Sequence, residues 1–65
     1  MMDELIKMVK EHLREEEHDV DTYHTMASMA YEHDHEELAQ VLNDIAYEES
    51  IHAKHLSDIL MELGN

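Results

Sequence analysis

The most informative part of the chain is residues 38–63, which read LAQVLNDIAYEESIHAKHLSDILMEL. Apolar side chains recur there in alternating steps of four and three, the spacing typical of an α-helix that packs one face against another helix. This stripe consists of Leu38, Leu42, Ile45, Glu49, His52, Leu56, Ile59 and Leu63. The stretch therefore predicts a long amphipathic helix with two polar residues in its packed face.

The preceding half of the chain carries a second stripe of the same kind, in alternating steps of three and four. It consists of Ile6, Val9, Leu13, Glu16, Val20, Tyr23, Ala27 and Ala30. Proline is absent and the single glycine is Gly64, so no residue between the two ends of the chain breaks a helix outright. Two long helices follow from this pattern.

The segment between the stripes, residues 31–37, places no strong apolar side chain on either stripe. We expect one domain, residues 1–65, with helix one at about 3–31, a connection at about 32–34 and helix two at about 35–63. Asp34 is the expected N-cap of the second helix, with Glu37 completing a capping box, and Gly64 suits the position just past its end. The predicted fold class is all-α, an antiparallel two-helix hairpin.

A hairpin of this size does not bury all its apolar side chains. Chains of 65 residues bury only roughly 60 % of their unfolded surface. Further apolar residues flank the two stripes and widen the apolar face: Met26, Met29, Val41, Ala46, Ile51 and Leu60. Two hairpins that pack together close a four-helix bundle and cover these residues. The sequence therefore predicts a homodimer or a higher homo-oligomer.

Composition excludes several classes of function. There is no cysteine, which excludes disulfides and thiolate metal sites. The formal net charge of −13 repels phosphate backbones and attracts cations, so we expect no nucleic-acid partner. No apolar run approaches the length of about 18 residues that a membrane span needs, and the N-terminus lacks the apolar stretch of a signal peptide. A cytoplasmic location is the expectation that remains.

Three polar residues lie on the stripes where a core needs apolar ones, namely Glu16, Glu49 and His52. With Asp34 taken as the middle of the connection, Glu16 lies 18 residues before it, whereas Glu49 and His52 lie 15 and 18 residues after it. In an antiparallel hairpin all three should meet near one level. A buried carboxylate is costly unless it is paired, neutralised or bound to metal.

Glu49 and His52 form a Glu-x-x-His pair, whose side chains share one face of a helix. The chain contains three such pairs, and only this one lies on a stripe: Glu15/His18, Glu32/His35 and Glu49/His52. A two-fold dimer would supply four carboxylates and two imidazoles, the ligand set of di-iron or di-manganese bundles, with two metal ions per dimer. Iron or manganese suits these ligands best, and zinc can occupy such a site. The alternative is a polar layer that only specifies helix register.

Two segments resemble one half of a rubrerythrin or ferritin domain: Glu16-x6-Tyr23-x3-Ala27-x2-Ala30 and Ala46-x2-Glu49-x2-His52-Ala53. The resemblance covers residues 16 to about 56. The chain contains one such half, and that arrangement resembles encapsulated ferritins, whose helical hairpins build a ferroxidase centre across a subunit interface. The resemblance implies a ferritin-like four-helix bundle formed by dimerisation.

The resemblance also implies roles for individual residues. Glu16, Glu49 and His52 would be iron ligands at a catalytic centre, and Tyr23 would hydrogen-bond beside it. The implied activity is oxidation of Fe(II) by O2 or peroxide, for iron storage or detoxification. The cysteine-ligated iron of rubrerythrins has no counterpart here, so electrons would come from Fe(II) itself or from another protein.

The sequence allows alternatives for the C-terminus, for Asp19 and for the function. Encapsulated ferritins carry a C-terminal tail that docks into an encapsulin shell, and this sequence ends at residues 63–65, which is compatible with a free-standing or a shortened protein. Asp19 is either an extra ligand or part of a solvated helix face. The other six histidines are expected at the surface: His12, His18, His24, His33, His35 and His55. Two further functions compete with a ferroxidase, a non-enzymatic iron or manganese carrier and a structural dimerisation bundle.

Overall fold

The computed structural model describes residues 2–64 and contains two α-helices, α1 at Met2–Glu32 and α2 at Glu36–Glu62. No strand is present in this part of the chain. The helices contact each other along their length and form a hairpin of 49 × 14 × 12 Å. The predicted all-α, two-helix fold is confirmed. Neither helix is apolar enough over a sufficient length to cross a membrane.

The connection corrects one prediction. Asp34 has a φ of 64° and is not the N-cap of α2. Its backbone N–H donates to the carbonyl of Tyr31 (3.0 Å), and the N–H of His35 donates to the carbonyl of Ala30 (2.9 Å). This is a Schellman motif, which needs a left-handed residue at this position, and aspartate tolerates that conformation better than most residues.

Because Asp34 completes the end of α1, it cannot adopt the extended backbone of an N-cap. The residue that precedes α2 is His35, and its side chain makes no capping hydrogen bond. The first turn of α2 instead carries two acidic residues, Glu36 and Glu37, whose charges favour the positive end of the helix dipole. Gly64 behaves as predicted, with a φ of 77° just past the end of α2.

The stripe predicted for α1 is the face that packs against α2. All eight of its residues are buried or half-buried, and Val9, Glu16, Ala27 and Ala30 are the most buried residues of the helix. The polar interruption at Glu16 is therefore a feature of the packed face, as the spacing predicted.

The stripe predicted for α2 is wrong at three of its eight positions, because Leu38, His52 and Ile59 are exposed. Leu38 and Ile59 are 52 % and 43 % exposed, whereas Ala46 is fully buried. The most buried residues of α2 belong to a set spaced by seven that lies one position further along the chain and in which only Ala53 is half-buried; we call it the inner stripe: Ala39, Ala46, Ala53 and Leu60. Three alanines allow the two backbones to approach closely, so the larger side chains are displaced to the edge of the contact.

Beside the inner stripe lies a set that is exposed except for the half-buried Ile45, which we call the outer stripe: Leu38, Ile45, His52 and Ile59. On α1 a second set spaced by seven lies beside the packed face: Leu5, His12, Asp19 and Met26. Both sets face the same side of the hairpin, because Met26 and Met29 of α1 line one cleft together with Leu38 of α2. We call this side the front face. It is largely apolar and interrupted by polar residues near its middle.

The hairpin is a single layer of two helices. Its accessible surface is 5095 Å², against about 4300 Å² for a compact monomer of 7.7 kDa. No large side chain among the described residues is fully buried. Stable domains bury a helix face against a second layer, and the front face has none within one chain.

Replacing Ala46 by leucine tests the close approach of the helices. The substitution overpacks a site with no free surface and should lower the free energy of unfolding by about 1–3 kcal/mol. The measurement is urea denaturation at fixed protein concentration. Ser50→Leu adds a similar bulk at an exposed position of α2 and should have a much smaller effect. Equal losses in both variants would show that the helices are not in close contact at Ala46.

Candidate metal centre

The structure brings Glu16, Glu49 and His52 together across the two helices. One ligand atom from each residue lies within 4.8 Å of the others, and the group could hold a metal ion. The Nδ1 atom of His52 lies 3.6 Å from Oε2 of Glu16 and 3.5 Å from Oε1 of Glu49. The three side chains therefore lie at the same height along the hairpin, as the residue count on either side of the connection predicts.

Helix geometry accounts for the grouping. Glu49 and His52 are three residues apart on α2, so their side chains point to the same side of the helix. Glu16 faces them from α1, where its position on the packed stripe leaves only 11 % of the side chain exposed. The inner stripe brings α2 close enough for these short side chains to meet. The cluster therefore depends on the same close approach that determines the fold.

Glu16 is the buried member of the cluster. Its Oε2 atom is inaccessible to solvent and has no hydrogen-bond partner among residues 2–64. An ionised carboxylate in that position has lost its water without gaining a donor, which is unfavourable unless a cation or a proton compensates it. The geometry fits a hard divalent cation, because such ions prefer carboxylate oxygen and imidazole nitrogen ligands.

The neighbouring Glu16 raises the pKa of Glu49 above its ordinary value of 4.5, mainly because a proton on Glu49 can be shared with Glu16 in a hydrogen bond. Partial desolvation and the negative charges of Glu16 and Asp19 act in the same direction, and His52 opposes them. Without metal, the two carboxylates thus favour retention of one proton. A cation bound here would compete with that proton.

His52 is not on the packed face, contrary to the sequence-based prediction. It belongs to the outer stripe, and its side chain is 58 % exposed, because Ala53 occupies the packed position next to it. The imidazole still reaches both carboxylates from the edge. As a result, the cluster opens onto the front face and is not enclosed between the helices.

Two further residues lie near the cluster, His12, which was not assigned to it from the sequence, and Asp19, which the sequence left open as an extra ligand or part of a solvated helix face. The Nε2 atom of His12 lies 3.2 Å from Oε1 of Glu16, although His12 was expected to be an ordinary surface histidine. Asp19 is half-buried and its charge acts on Glu49. His12 lies four residues before Glu16 on the same helix, so the neighbour rule for helix surfaces is the signal that could have identified it, as it did for Asp19 three residues after Glu16.

Tyr23 lies on the packed face of α1, two turns beyond Glu16, and is half-buried. No hydrogen bond joins its hydroxyl to the three cluster residues in the described part of the chain, so its role beside the centre stays a prediction. His24 lies away from the cluster and pairs with Asn43 across the helices at 3.1 Å. His18, His33, His35 and His55 are exposed, as expected.

Comparison with known proteins finds no match for this chain among family models, curated proteins or solved structures. The interpretation of the site therefore depends on its own geometry. That geometry gives three ligands of suitable chemistry from one chain, which is half of the set that a paired-metal centre uses.

The raised pKa of Glu49 predicts how the metal-free protein responds to pH. Because the folded state holds the proton more tightly than the unfolded state, ionised Glu49 destabilises the fold at neutral pH, and the penalty falls as pH drops through the raised pKa. Glu49→Gln should therefore raise the melting temperature at pH 7 in the presence of chelator, and the gain should shrink at pH 5.

Glu48→Gln is the matched control, since it removes the same charge from an exposed neighbouring position. It should leave the melting temperature nearly unchanged at both pH values. If the two variants behave alike, the effect comes from the overall negative charge and not from the pairing of Glu49 with Glu16.

Proposed function

We propose that two copies of this chain pack front face to front face into a ferritin-like four-helix bundle and act as a ferroxidase at the shared centre. The observation that carries the proposal is the buried, unpartnered Oε2 atom of Glu16, held in a carboxylate–imidazole cluster that opens onto an uncovered apolar face. A cation compensates the buried charge, and a second copy covers the face.

The front face suits a second copy of the same chain. Its apolar residues lie on both sides of the cluster, with Leu5 and Ile59 toward the chain ends and Met26 and Leu38 toward the connection. A two-fold contact uses the same patch on both subunits, so apolar ends meet apolar ends and the two clusters approach each other near the axis. Stable interfaces bury about 1,200–2,000 Å², which a face running along a 49 Å hairpin can supply.

The paired clusters would hold two metal ions with four carboxylates and two imidazoles, contributed by Glu16, Glu49 and His52 of each chain. Oxygen-rich ligand sets of this kind favour iron or manganese. Iron bound there would supply the redox chemistry: two Fe(II) ions give one electron each to O2, which takes up two protons and leaves as hydrogen peroxide. With peroxide as oxidant, the same two electrons and two protons yield two waters.

The chain's own residues bind and orient the substrate iron. The net charge of −13 raises the local concentration of Fe(II) near the face. A cation bound between Glu16 and Glu49 would offset the mutual repulsion that raises the pKa of Glu49, so both carboxylates would bind in their ionised form. The apolar ends of the front face exclude bulk water from the centre once the second copy is in place.

A polar layer without metal is the competing function, and one observation favours it. Glu16 and Glu49 can share a proton and thereby form a hydrogen-bonded pair that carries one negative charge instead of two, which lessens the need for a cation. In that case, divalent metal would not raise the melting temperature, because only a ligand of the native state stabilises it. A carrier would bind iron but would not turn it over.

An anaerobic Fe(II) titration followed by oxygen tests the ferroxidase. We expect saturation at two iron ions per dimer, then oxidation that is visible in the near-ultraviolet and repeats with each new addition of Fe(II). Glu49→Ala should abolish the paired binding, whereas Glu48→Ala should retain it. Saturation without turnover would identify a carrier, and the absence of binding would leave the polar layer.

Leu38→Glu tests the shared face. Leu38 lies in the first turn of α2, where an acidic residue favours the helix dipole, so the hairpin itself should stay folded. On the front face the new charge should shift the protein to a monomer in sedimentation and remove two-iron binding. Tyr47→Glu, at an exposed position outside both stripes of the same helix, should stay dimeric. A dimer that survives Leu38→Glu would exclude this face as the interface.

A further inference from the structure

His12 contacts two carboxylates on α1. Its Nε2 atom lies 3.2 Å from Oε1 of Glu16, and its Nδ1 atom lies 3.5 Å from Oε2 of Glu15. The side chain of Glu15 is 72 % exposed and that of Glu16 only 11 %. The imidazole therefore links the buried carboxylate to one in solvent.

The two oxygens of Glu16 have different surroundings. Oε1 faces His12, whereas Oε2 faces His52 at 3.6 Å and is the buried atom without a hydrogen-bond partner. The terminal torsion of a glutamate is broad and intrinsically soft, so its carboxylate rotates readily unless a neighbour holds one oxygen. His12 is the only residue outside the cluster, within the described chain, that forms an ion-pair contact with Glu16.

We infer that His12 is a positioning residue of the metal centre: it holds Oε1 of Glu16 so that Oε2 alone points to the metal. This inference rests on the proposed function for the identity of the site. His12 does not belong to the group whose ligand atoms lie within 4.8 Å of one another, so it acts through Glu16 and not as a ligand.

Dimerisation strengthens this arrangement. His12 lies on the front face, in the set spaced by seven that includes Leu5 and Met26. A second copy packed on that face removes water from the contact between His12 and Glu16, and electrostatic attraction grows as the local dielectric falls. The orientation of the carboxylate is then most restricted in the assembled state, where the metal is bound.

Partners that orient metal ligands contribute strongly to affinity, and their removal typically weakens metal binding about 10–100-fold. The contact is with the end of the His12 ring, a reach that the glutamine amide can reproduce. Leucine retains the bulk and the apolar character of the front face but offers no polar atom. The two substitutions therefore separate positioning from packing.

The experiment is a Co²⁺ titration of the whole protein, followed by visible absorption, with Co²⁺ as a redox-stable substitute for Fe(II). His12→Leu should weaken Co²⁺ affinity at least about tenfold and change the absorption spectrum, while the melting temperature in chelator stays at or above that of the native protein. His12→Gln should restore most of the affinity. His18→Leu, the same change at an exposed position of α1, should bind Co²⁺ like the native protein.

Each other outcome contradicts a different statement. If His12→Leu binds Co²⁺ as tightly as the native protein, His12 does not position Glu16. If His12→Gln loses as much affinity as His12→Leu, the imidazole is itself a ligand and the positioning role is wrong. If the native protein fails to bind Co²⁺, the proposed metal centre fails before His12 is tested.

Discussion

The close approach of the two helices at the alanines of the inner stripe is the constraint on which the rest of the structure depends. Ala46 is fully buried, as expected where a small side chain lies between two closely packed helices. The short distance places Glu16 opposite Glu49 and keeps its carboxylate out of solvent. The same approach displaces the larger apolar residues to one side. The carboxylate–imidazole cluster and the uncovered front face therefore both result from the close approach of the two helices.

Most of the fold could be predicted from hydrophobic periodicity. The α1 stripe was correct because all its apolar residues are on the packed face. The α2 pattern was ambiguous, because two neighbouring sets of positions both carry apolar residues. Leu38 and Ile59 belong to one set, and Ala39 and Leu60 belong to the next. Hydrophobicity favours the first set, because Leu38 is larger than Ala39. Only the helix–helix distance decides between them. Asp34 was misassigned because its side chain suits a cap, whereas the backbone hydrogen bonds of the turn require a left-handed residue.

The candidate site was predicted from residue type and level, and the structure places its three members together. Sequence reasoning put His52 among the packed residues, since a stripe in steps of three and four does not distinguish the centre of a face from its edge. It missed His12 because a histidine on a charged helix surface has no distinctive signal by itself. The role proposed for His12 depends on the burial of Glu16, because a buried carboxylate interacts mainly with its protein neighbours.

In the proposed dimer, the interface and the metal centre would reinforce each other energetically. Two chains of formal charge −13 repel, so apolar contact along the front face works against a long-range electrostatic cost. The repulsion would be strongest where the two clusters meet, because there the negative charges of Glu16 and Glu49 already raise the pKa of Glu49 within one chain. Divalent cations bound at that point would add positive charge at the centre of the repulsion. Metal binding and dimerisation would then be linked equilibria, in which each raises the affinity of the other by the same factor.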